Sequence, residues 1–247
     1  MNETLLELHT HDDVRLVARR WAPSGPASGT TVVVAHGFAA SGTEARVRAI
    51  ADALAGAGHT VLTYDSRGHG ESGGEATLGT DEPLDVAAVV DAAGHDPVIL
   101  VGASMGAIGA LRYAVGHESA RPPSGMVIVS CPARWSLPRN ARGVVSALMT
   151  QTPVGRWAAR RYVNVRIARP RPRPAPPVDL VPDLRMPLAV VHGAADPFIP
   201  VADAEALYGV ANEPRRLDVV DDMGHAFEPP SITPVVESVS WVIEQAR

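Results

Sequence analysis

Short apolar runs that alternate with helical segments constrain the fold of this chain more than any other feature. The run Thr31–Ala35 holds four consecutive apolar residues, which is typical of a strand buried on both faces of a sheet. Residues 44–57 follow with apolar side chains at helical spacing. Further strands are expected at residues 61–64, 98–101, 126–129, 188–191 and 215–220, and further helices at residues 81–93, 105–115, 201–208 and 232–245. The alternation predicts an α/β fold with a mostly parallel central sheet and helices on both of its faces.

The first 29 residues depart from this pattern. Residues 5–9 and 14–21 alternate between apolar and polar positions and meet at Asp12 and Asp13, which predicts two antiparallel strands. Residues 23–29 are rich in proline, glycine and serine and indicate a linker. A chain of 247 residues without internal repeats suits a single domain spanning residues 1–247.

Composition narrows the classes of partner and location. A net charge of −5 gives no indication of a nucleic-acid partner. The one cysteine, Cys131, can form no internal disulfide and is expected to be a small buried residue. Residues 1–13 lack the basic and apolar segments of a signal peptide, and no apolar run approaches the roughly 18 residues of a membrane span. We therefore expect a cytoplasmic protein with no integral membrane segment, as a monomer or homodimer.

Charge is distributed unevenly along the chain. Residues 119–178 contain no Asp or Glu but hold eleven of the 22 arginines, and the chain has no lysine. Helices are expected over residues 139–151 and 153–163, whereas the Arg-Pro run within residues 166–177 is expected to be extended. Residues 133–182 are thus predicted to form a small inserted lid. Its large apolar side chains are expected to pack the lid onto the body, the alternative being that they line an acyl site: Trp135, Leu137, Leu148, Met149, Trp157 and Tyr162.

The pentapeptide Gly102-Ala-Ser104-Met-Gly106 lies between an expected strand and an expected helix. In the G-x-S-x-G pattern, a serine stands on a sharp strand-to-helix turn, and the small flanking residues let the backbone bend. In this setting the pattern predicts that Ser104 is a nucleophile. The alternative is a glycine-rich turn whose serine only caps the helix.

A serine hydroxyl is a poor nucleophile unless a base removes its proton, so the chain should supply a histidine near Ser104. His225 follows the expected strand 215–220 and precedes the last helix, which is the placement that such a base requires. His36 and His192 each precede a glycine at a strand end and are expected to make structural hydrogen bonds. His225 is therefore the predicted base.

The base in turn needs an acid that fixes its tautomer and stabilises the imidazolium. Asp196 follows the expected strand 188–191 and gives the chain order Ser, Asp, His; the alternative is that it caps the next helix. The position after strand 126–129 offers Ser130-Cys131-Pro132 and no carboxylate. Three other aspartates precede His225 too closely to be preferred: Asp218, Asp221 and Asp222.

The tetrahedral intermediate of acyl transfer needs two hydrogen-bond donors for its oxyanion. We expect these to be the backbone N–H groups of Met105, the residue after the nucleophile, and of Phe38, in the loop after His36-Gly37. This chemistry requires no metal and no organic cofactor.

The motifs together resemble the α/β-hydrolase superfamily over nearly the whole chain. The resembling segments are His36-Gly37-Phe38, Asp65-Ser-Arg-Gly-His-Gly-Glu-Ser72, Gly102–Gly106, Gly193–Asp196 and Gly224-His225. The resemblance implies the α/β-hydrolase fold, the triad and a structural role for the 65–72 loop. Within the superfamily the chain looks most like small bacterial carboxylesterases, feruloyl-type esterases and monoacylglycerol lipases, although Ala103 stands where many lipases have histidine.

The predicted activity is therefore that of a serine hydrolase that cleaves small or medium carboxylic esters through an acyl-enzyme. Its partner would be a small-molecule ester or thioester. Two alternatives stay open: a thioesterase or acyltransferase that uses anionic acyl carriers, which the Arg-rich lid would attract, or a slow, ligand-binding member of the fold.

Overall fold

A computed structural model describes residues 3–116, 121–135 and 140–247. Eight strands form one sheet in the order β1-β2-β4-β3-β5-β6-β7-β8. The strands are β1 (Glu3–His9), β2 (Arg15–Trp21), β3 (Thr31–Ala35), β4 (Thr60–Tyr64), β5 (Val98–Ala103), β6 (Gly125–Val129), β7 (Leu188–Gly193) and β8 (Arg215–Val220). β2 pairs antiparallel with β1 and β4, and all other neighbours pair in parallel. The predicted mostly parallel sheet with an antiparallel start is confirmed.

Helices follow most of the parallel strands, as predicted. They are α1 (Ala45–Gly56), α2 (Glu82–Asp91), α3 (Met105–Val115), α4 (Ala141–Gln151), α5 (Pro153–Tyr162), α6 (Pro177–Leu180), α7 (Val201–Val210) and α8 (Ile232–Gln245). α4 was expected from residue 139, which lies outside the described residues. It begins at Ala141 because the Asn140 side chain caps it, accepting a hydrogen bond from Gly143 N at 2.9 Å. The extended run was expected to reach Pro177, but Pro177 opens α6, where its missing N–H costs no helical hydrogen bond.

The sheet is the middle of three layers, which explains why its central strands, β3 to β7, are mostly apolar on both faces. Val33 packs into a core formed with α2, α3, α6 and α7, whereas Val32 and Val34 pack on the opposite face against α1 and α8. Cys131, just beyond β6, is buried as predicted, and burial raises the pKa of its thiol. Among the helices of the described ranges, none is both long and apolar enough to cross a membrane.

Residues 133–182 connect β6 to β7 and carry α4, α5 and α6. A small separate cluster holds this segment to the body, built from the buried side chains of Ala76, Ala159, Val165 and Ile167 with Phe38 and Met149 at its edge. The predicted packing of the larger side chains is wrong for three of them: Leu148 is 54% exposed, Trp157 60% and Tyr162 72%. They lie on the outer faces of a two-helix segment that is too thin to bury both sides. Leu137 lies outside the described residues.

Candidate active site

Ser104 stands between β5 and α3 with φ 51° and ψ −114°, a conformation that a residue with a β-carbon rarely adopts. Such strain costs on the order of 1–3 kcal/mol and persists only where the surroundings enforce it. Here Ser104 N donates to Val129 O of the neighbouring strand at 2.9 Å, and Ile108 N donates to Ser104 O at 3.2 Å. The predicted strained turn is therefore present.

The two glycines of the pentapeptide are required by close backbone approach. A β-carbon at Gly102 would lie 2.6 Å from Ala107 Cα, and one at Gly106 would lie 2.3 Å from Ala35 O. Both distances are far shorter than van der Waals contact. The spacing of the motif therefore reflects the close packing of α3 on β3 and β5.

Asp196 and His225 meet at the carboxyl ends of β7 and β8. His225 Nδ1 lies 2.7 Å from Asp196 Oδ2, and because a carboxylate can only accept, Nδ1 carries the proton. The other oxygen, Oδ1, accepts from Phe198 N at 2.8 Å and Ile199 N at 3.0 Å. Asp196 thus orders its own loop and does not cap α7, the alternative that its position had left open.

The charge state of Asp196 follows from these contacts. Its side chain is fully buried, which by itself raises the pKa of the carboxyl group. The hydrogen bond and charge of His225, with the two backbone donors, outweigh that effect and hold the pKa below its usual range. Asp196 is therefore a carboxylate at neutral pH and can stabilise a protonated imidazole.

Two residues that the sequence analysis did not assign position the loop of His225. Ser130 Oγ accepts a hydrogen bond from Ala226 N at 3.0 Å, and Glu228 Oε2 accepts one from Gly224 N at 3.1 Å. The residues after β6 offer no carboxylate, and the sequence pattern alone does not predict the contact of the Ser130 hydroxyl with the loop of His225. Its location at the end of a parallel strand, beside the strands that carry the predicted site, was the available signal.

The loop after β3 passes directly beside the serine. A β-carbon at Gly37 would lie 3.4 Å from the Ser104 β-carbon, which places the next residue, Phe38, at the site. Within the described residues, neither the Phe38 N–H nor the Met105 N–H donates to another protein group. Both predicted oxyanion donors are therefore free to bind a ligand.

His36 and His192 have the structural roles that were expected. His36 Nδ1 donates to Gly37 O at 2.8 Å and Nε2 accepts from Ser66 N at 3.0 Å; burial, together with nearby His69, lowers the pKa of His36 to about 3. His192 Nε2 donates to Ile199 O at 3.0 Å. The 65–72 loop is also structural, because Asp65 accepts from Gly42 N at 2.7 Å and so holds the loop after β3.

Ser104, His225 and Phe38 line one cavity of about 820 Å³ that lies beneath residues 133–182. Asp196 lies behind the His225 ring, outside the cavity wall. Among the described residues no hydrogen bond joins Ser104 Oγ to His225. The wall contains five arginines and, in the part of the chain that the structure describes, no Asp or Glu.

Comparison with known proteins places this chain in a family. A family model described as "Serine aminopeptidase, S33" matches residues 26–174, more than half of the chain. The chain belongs to this family. This S33-family chain is 28% identical to the monoacylglycerol lipase of Mycolicibacterium smegmatis. The alignment, counted with its gaps, is 274 residues long and covers 93% of each protein.

Solved structures confirm the α/β-hydrolase fold of the S33-family chain. An esterase of Pyrococcus furiosus superposes with a TM-score of 0.74 at 22% identity, covering 98% of this chain and 93% of that one. An esterase of Rhodococcus sp. ECU1013 superposes with a TM-score of 0.71 at 22% identity, covering 98% and 99%. At this identity the likeness establishes the shared fold.

Proposed function

We propose that this protein is a serine hydrolase that cleaves carboxylic esters of small or medium acyl groups through an acyl-enzyme. The observation that carries the proposal is the 2.7 Å contact between buried Asp196 and His225, on the cavity that also holds the strained Ser104. A named monoacylglycerol lipase among the relatives and esterases among the structural neighbours support the choice of an ester bond.

In the first step, Ser104 Oγ attacks the ester carbonyl carbon while His225 Nε2 takes the hydroxyl proton. Nε2 is free for this role because the Nδ1 proton is held by Asp196. The negative charge that develops on the carbonyl oxygen is bound by the N–H groups of Phe38 and Met105. Each such donor contributes on the order of 3 kcal/mol to lowering the barrier. The hydrogen bond between Ser104 and His225 that this proton transfer requires forms in the substrate complex before the attack, as catalytic bonds often do.

The intermediate collapses when the His225 imidazolium gives its proton to the leaving alcohol, which leaves an ester between the acyl group and Ser104. A water molecule then takes the place of the alcohol. His225 accepts a proton from that water, the hydroxide adds to the acyl carbon, and the carboxylic acid departs as Ser104 regains its proton. Neither step needs a metal or an organic cofactor.

We further propose that residues 133–182 are a lid on a single domain formed by residues 1–247. The segment has its own small cluster of buried side chains and supplies much of the cavity wall above Ser104. A lid of this kind excludes water from the acyl-enzyme and contacts the part of the substrate farthest from the ester bond.

The family description includes an aminopeptidase, so peptide hydrolysis is the competing activity. An aminopeptidase binds a free α-ammonium group, which a carboxylate would best pair with in a cavity. The described part of the cavity wall holds no carboxylate. The charge of the wall therefore favours an ester over a peptide with a free amino terminus.

The test is to compare Ser104→Ala with Ser146→Ala, because Ser146 also lines the cavity but has no predicted role. We expect Ser104→Ala to lose hydrolysis of 4-nitrophenyl butyrate and labelling by a fluorophosphonate probe, and Ser146→Ala to keep both. Full activity in purified Ser104→Ala would refute the mechanism. Labelling without turnover of any ester would indicate the slow, ligand-binding alternative, and transfer of the acyl group to an added alcohol would indicate an acyltransferase.

A further inference from the structure

We propose that the cavity selects acyl substrates that carry an anionic group distant from the bond that is cleaved. This inference rests on the proposed function and names its substrate class. The residues that carry it are the five arginines of the cavity wall: Arg134, Arg142, Arg169, Arg171 and Arg173.

These arginines come from three separate parts of residues 133–182 and converge on one cavity. Arg134 follows β6, Arg142 lies in the first turn of α4, and the other three belong to the Arg-Pro run before α6. Eleven of the 22 arginines lie in residues 119–178 with no acid among them, whereas the remainder of the chain carries 27 acids. The cationic wall therefore faces a body of the opposite charge, and a small anion in solution is attracted to the cavity rather than to the protein as a whole.

Within the described residues, three of the five guanidinium groups have no ion-pair or hydrogen-bond partner. Arg171 pairs with Asp81 at 2.8 Å, and Arg173 lies over the Trp135 ring at 5.9 Å. In contrast, Arg134, Arg142 and Arg169 are exposed and, within the described ranges, make no ion pair or hydrogen bond. An unpaired guanidinium keeps its full capacity to bind carboxylate or phosphate through two parallel hydrogen bonds.

The Arg-Pro run, which presents Arg169, Arg171 and Arg173, is fixed to the body. Ala76 N donates to Arg166 O at 2.7 Å and Ala168 N donates to Ala76 O at 3.0 Å, and these bonds hold the start of the run. Trp135 Nε1 donates to Pro174 O at 2.7 Å and ties its end to the residues after β6. Alternate prolines stiffen the backbone between the two anchors. This part of the positive wall is thus held at both ends, and binding an anion to it does not require ordering a free loop.

In the test, an anionic substrate is compared with a neutral substrate that has the same kind of scissile bond, and the arginine variants then separate the effect of charge from that of size. On the acyl side, mono(4-nitrophenyl) succinate is compared with 4-nitrophenyl butyrate. On the leaving-group side, butyryl-coenzyme A is compared with the butyryl thioester of N-acetylcysteamine. The variant Arg134→Gln/Arg142→Gln removes two uncommitted charges, and Arg160→Gln/Arg185→Gln is the control, because both of these arginines are exposed and neither lines the cavity.

We expect the wild-type protein to prefer the anionic member of at least one pair in kcat/KM, and Arg134→Gln/Arg142→Gln to reduce that preference by about tenfold. The control variant should keep both this preference and its activity on the neutral substrates. Raising ionic strength from about 0.05 to about 0.5 M should reduce the preference, because the screening length falls below the roughly 10 Å found at 0.1 M. The pair that responds identifies whether the anion belongs to the acyl or the leaving group.

An unchanged preference in Arg134→Gln/Arg142→Gln for both pairs overturns the proposal, as does an equal loss in the control. Binding of succinate and coenzyme A to Ser104→Ala, measured by calorimetry, gives a second readout without turnover. If esters are not hydrolysed but an anion still binds and its binding requires Arg134 and Arg142, the proposed function is wrong and the anion site is supported. If neutral esters are hydrolysed and neither anion binds, the site fails and the function stands.

Discussion

The N–H group of Ala226 donates a hydrogen bond to Ser130 Oγ across 3.0 Å, which ties the loop of His225 to the end of β6. Ala226 itself has φ 60°, so the loop is held in a strained turn immediately after the histidine. The hydroxyl is buried, and in the proposed mechanism the acid is Asp196 at the end of β7 rather than a residue at this position. The contact positions the loop of His225, and Ser130 itself does not line the cavity.

Replacing Ser130 with Ala should lower both stability and turnover. The Ala226 N–H would lose its acceptor, at a cost of about 1–3 kcal/mol in the free energy of unfolding. A displaced His225 should lower kcat more than it raises KM. The matched control is Ser240→Ala, whose exposed hydroxyl donates only to Val236 O within its own helix. Urea unfolding and steady-state kinetics check this prediction, and equal behaviour of the two variants would contradict it.

Asp196→Asn should reduce kcat by about 10⁴-fold while leaving the fold intact, the size of effect known when a triad acid is replaced by its amide. The amide no longer enforces the tautomer with a proton on Nδ1 and cannot stabilise the imidazolium. Asp222→Asn is the control, since Asp222 is exposed and was a rival candidate for the acid. A comparable loss in the control variant, measured as kcat on 4-nitrophenyl butyrate, would show that the assignment of Asp196 is wrong.

Gly106→Ala should destabilise the protein by about 3 kcal/mol or more, because the added β-carbon would lie 2.3 Å from Ala35 O. Gly209→Ala in α7 is the opposite case, since a β-carbon added there would meet no atom within 4 Å and a helical alanine is favoured by up to about 1 kcal/mol. Chemical denaturation of both variants should therefore give shifts of opposite sign. A neutral Gly106→Ala would mean that α3 packs less closely on β3.

Buried His36 should make the protein sensitive to acid. Its pKa is lowered to about 3 in the folded state, so between that value and its ordinary pKa near 6.5 the unfolded chain binds more protons. The contribution of neutral His36 to the free energy of unfolding is then fully present above pH 6.5. It falls as the pH drops, by about 1.4 kcal/mol per pH unit at most. In His36→Gln, the free energy of unfolding measured with urea should change less between about pH 6.5 and about pH 4 than it does in the wild-type protein. A wild-type slope no steeper than that of the variant would argue against this role of His36.

Periodicity and motif spacing were sufficient to predict the strands, their alternation with helices and the residues of the candidate triad. These features depend on local sequence and on chain order. In an α/β fold, the loops that follow the parallel strands all lie at the same edge of the sheet, so chain order predicts which loops are neighbours. The contact between Asp196 and His225 follows from that mapping, because β7 and β8 are neighbours in the sheet. The hydrogen bond between Ala226 N and Ser130 Oγ could not be predicted in this way, because it depends on the path of two loops that have no periodic sequence pattern.

The inserted segment was the least predictable part. Its helices could be located from spacing, but exposed Trp157 and Tyr162 contradict the general rule that large apolar side chains pack inward. A segment of two short helices has too little interior to bury both of its faces, and the sequence alone does not say which face meets the body. The convergence of arginines from three parts of the segment on one cavity likewise emerges only from the folded chain.

Burial of Cys131 has a practical consequence for following motion at this site. The only thiol of the chain lies one residue beyond Ser130, closed off from solvent, and its raised pKa keeps it in the unreactive protonated form. Modification by a thiol reagent therefore requires the carboxyl edge of β6 to open. The rate of that reaction therefore measures how often the structure opens at the carboxyl end of β6, and the measurement needs no engineered label.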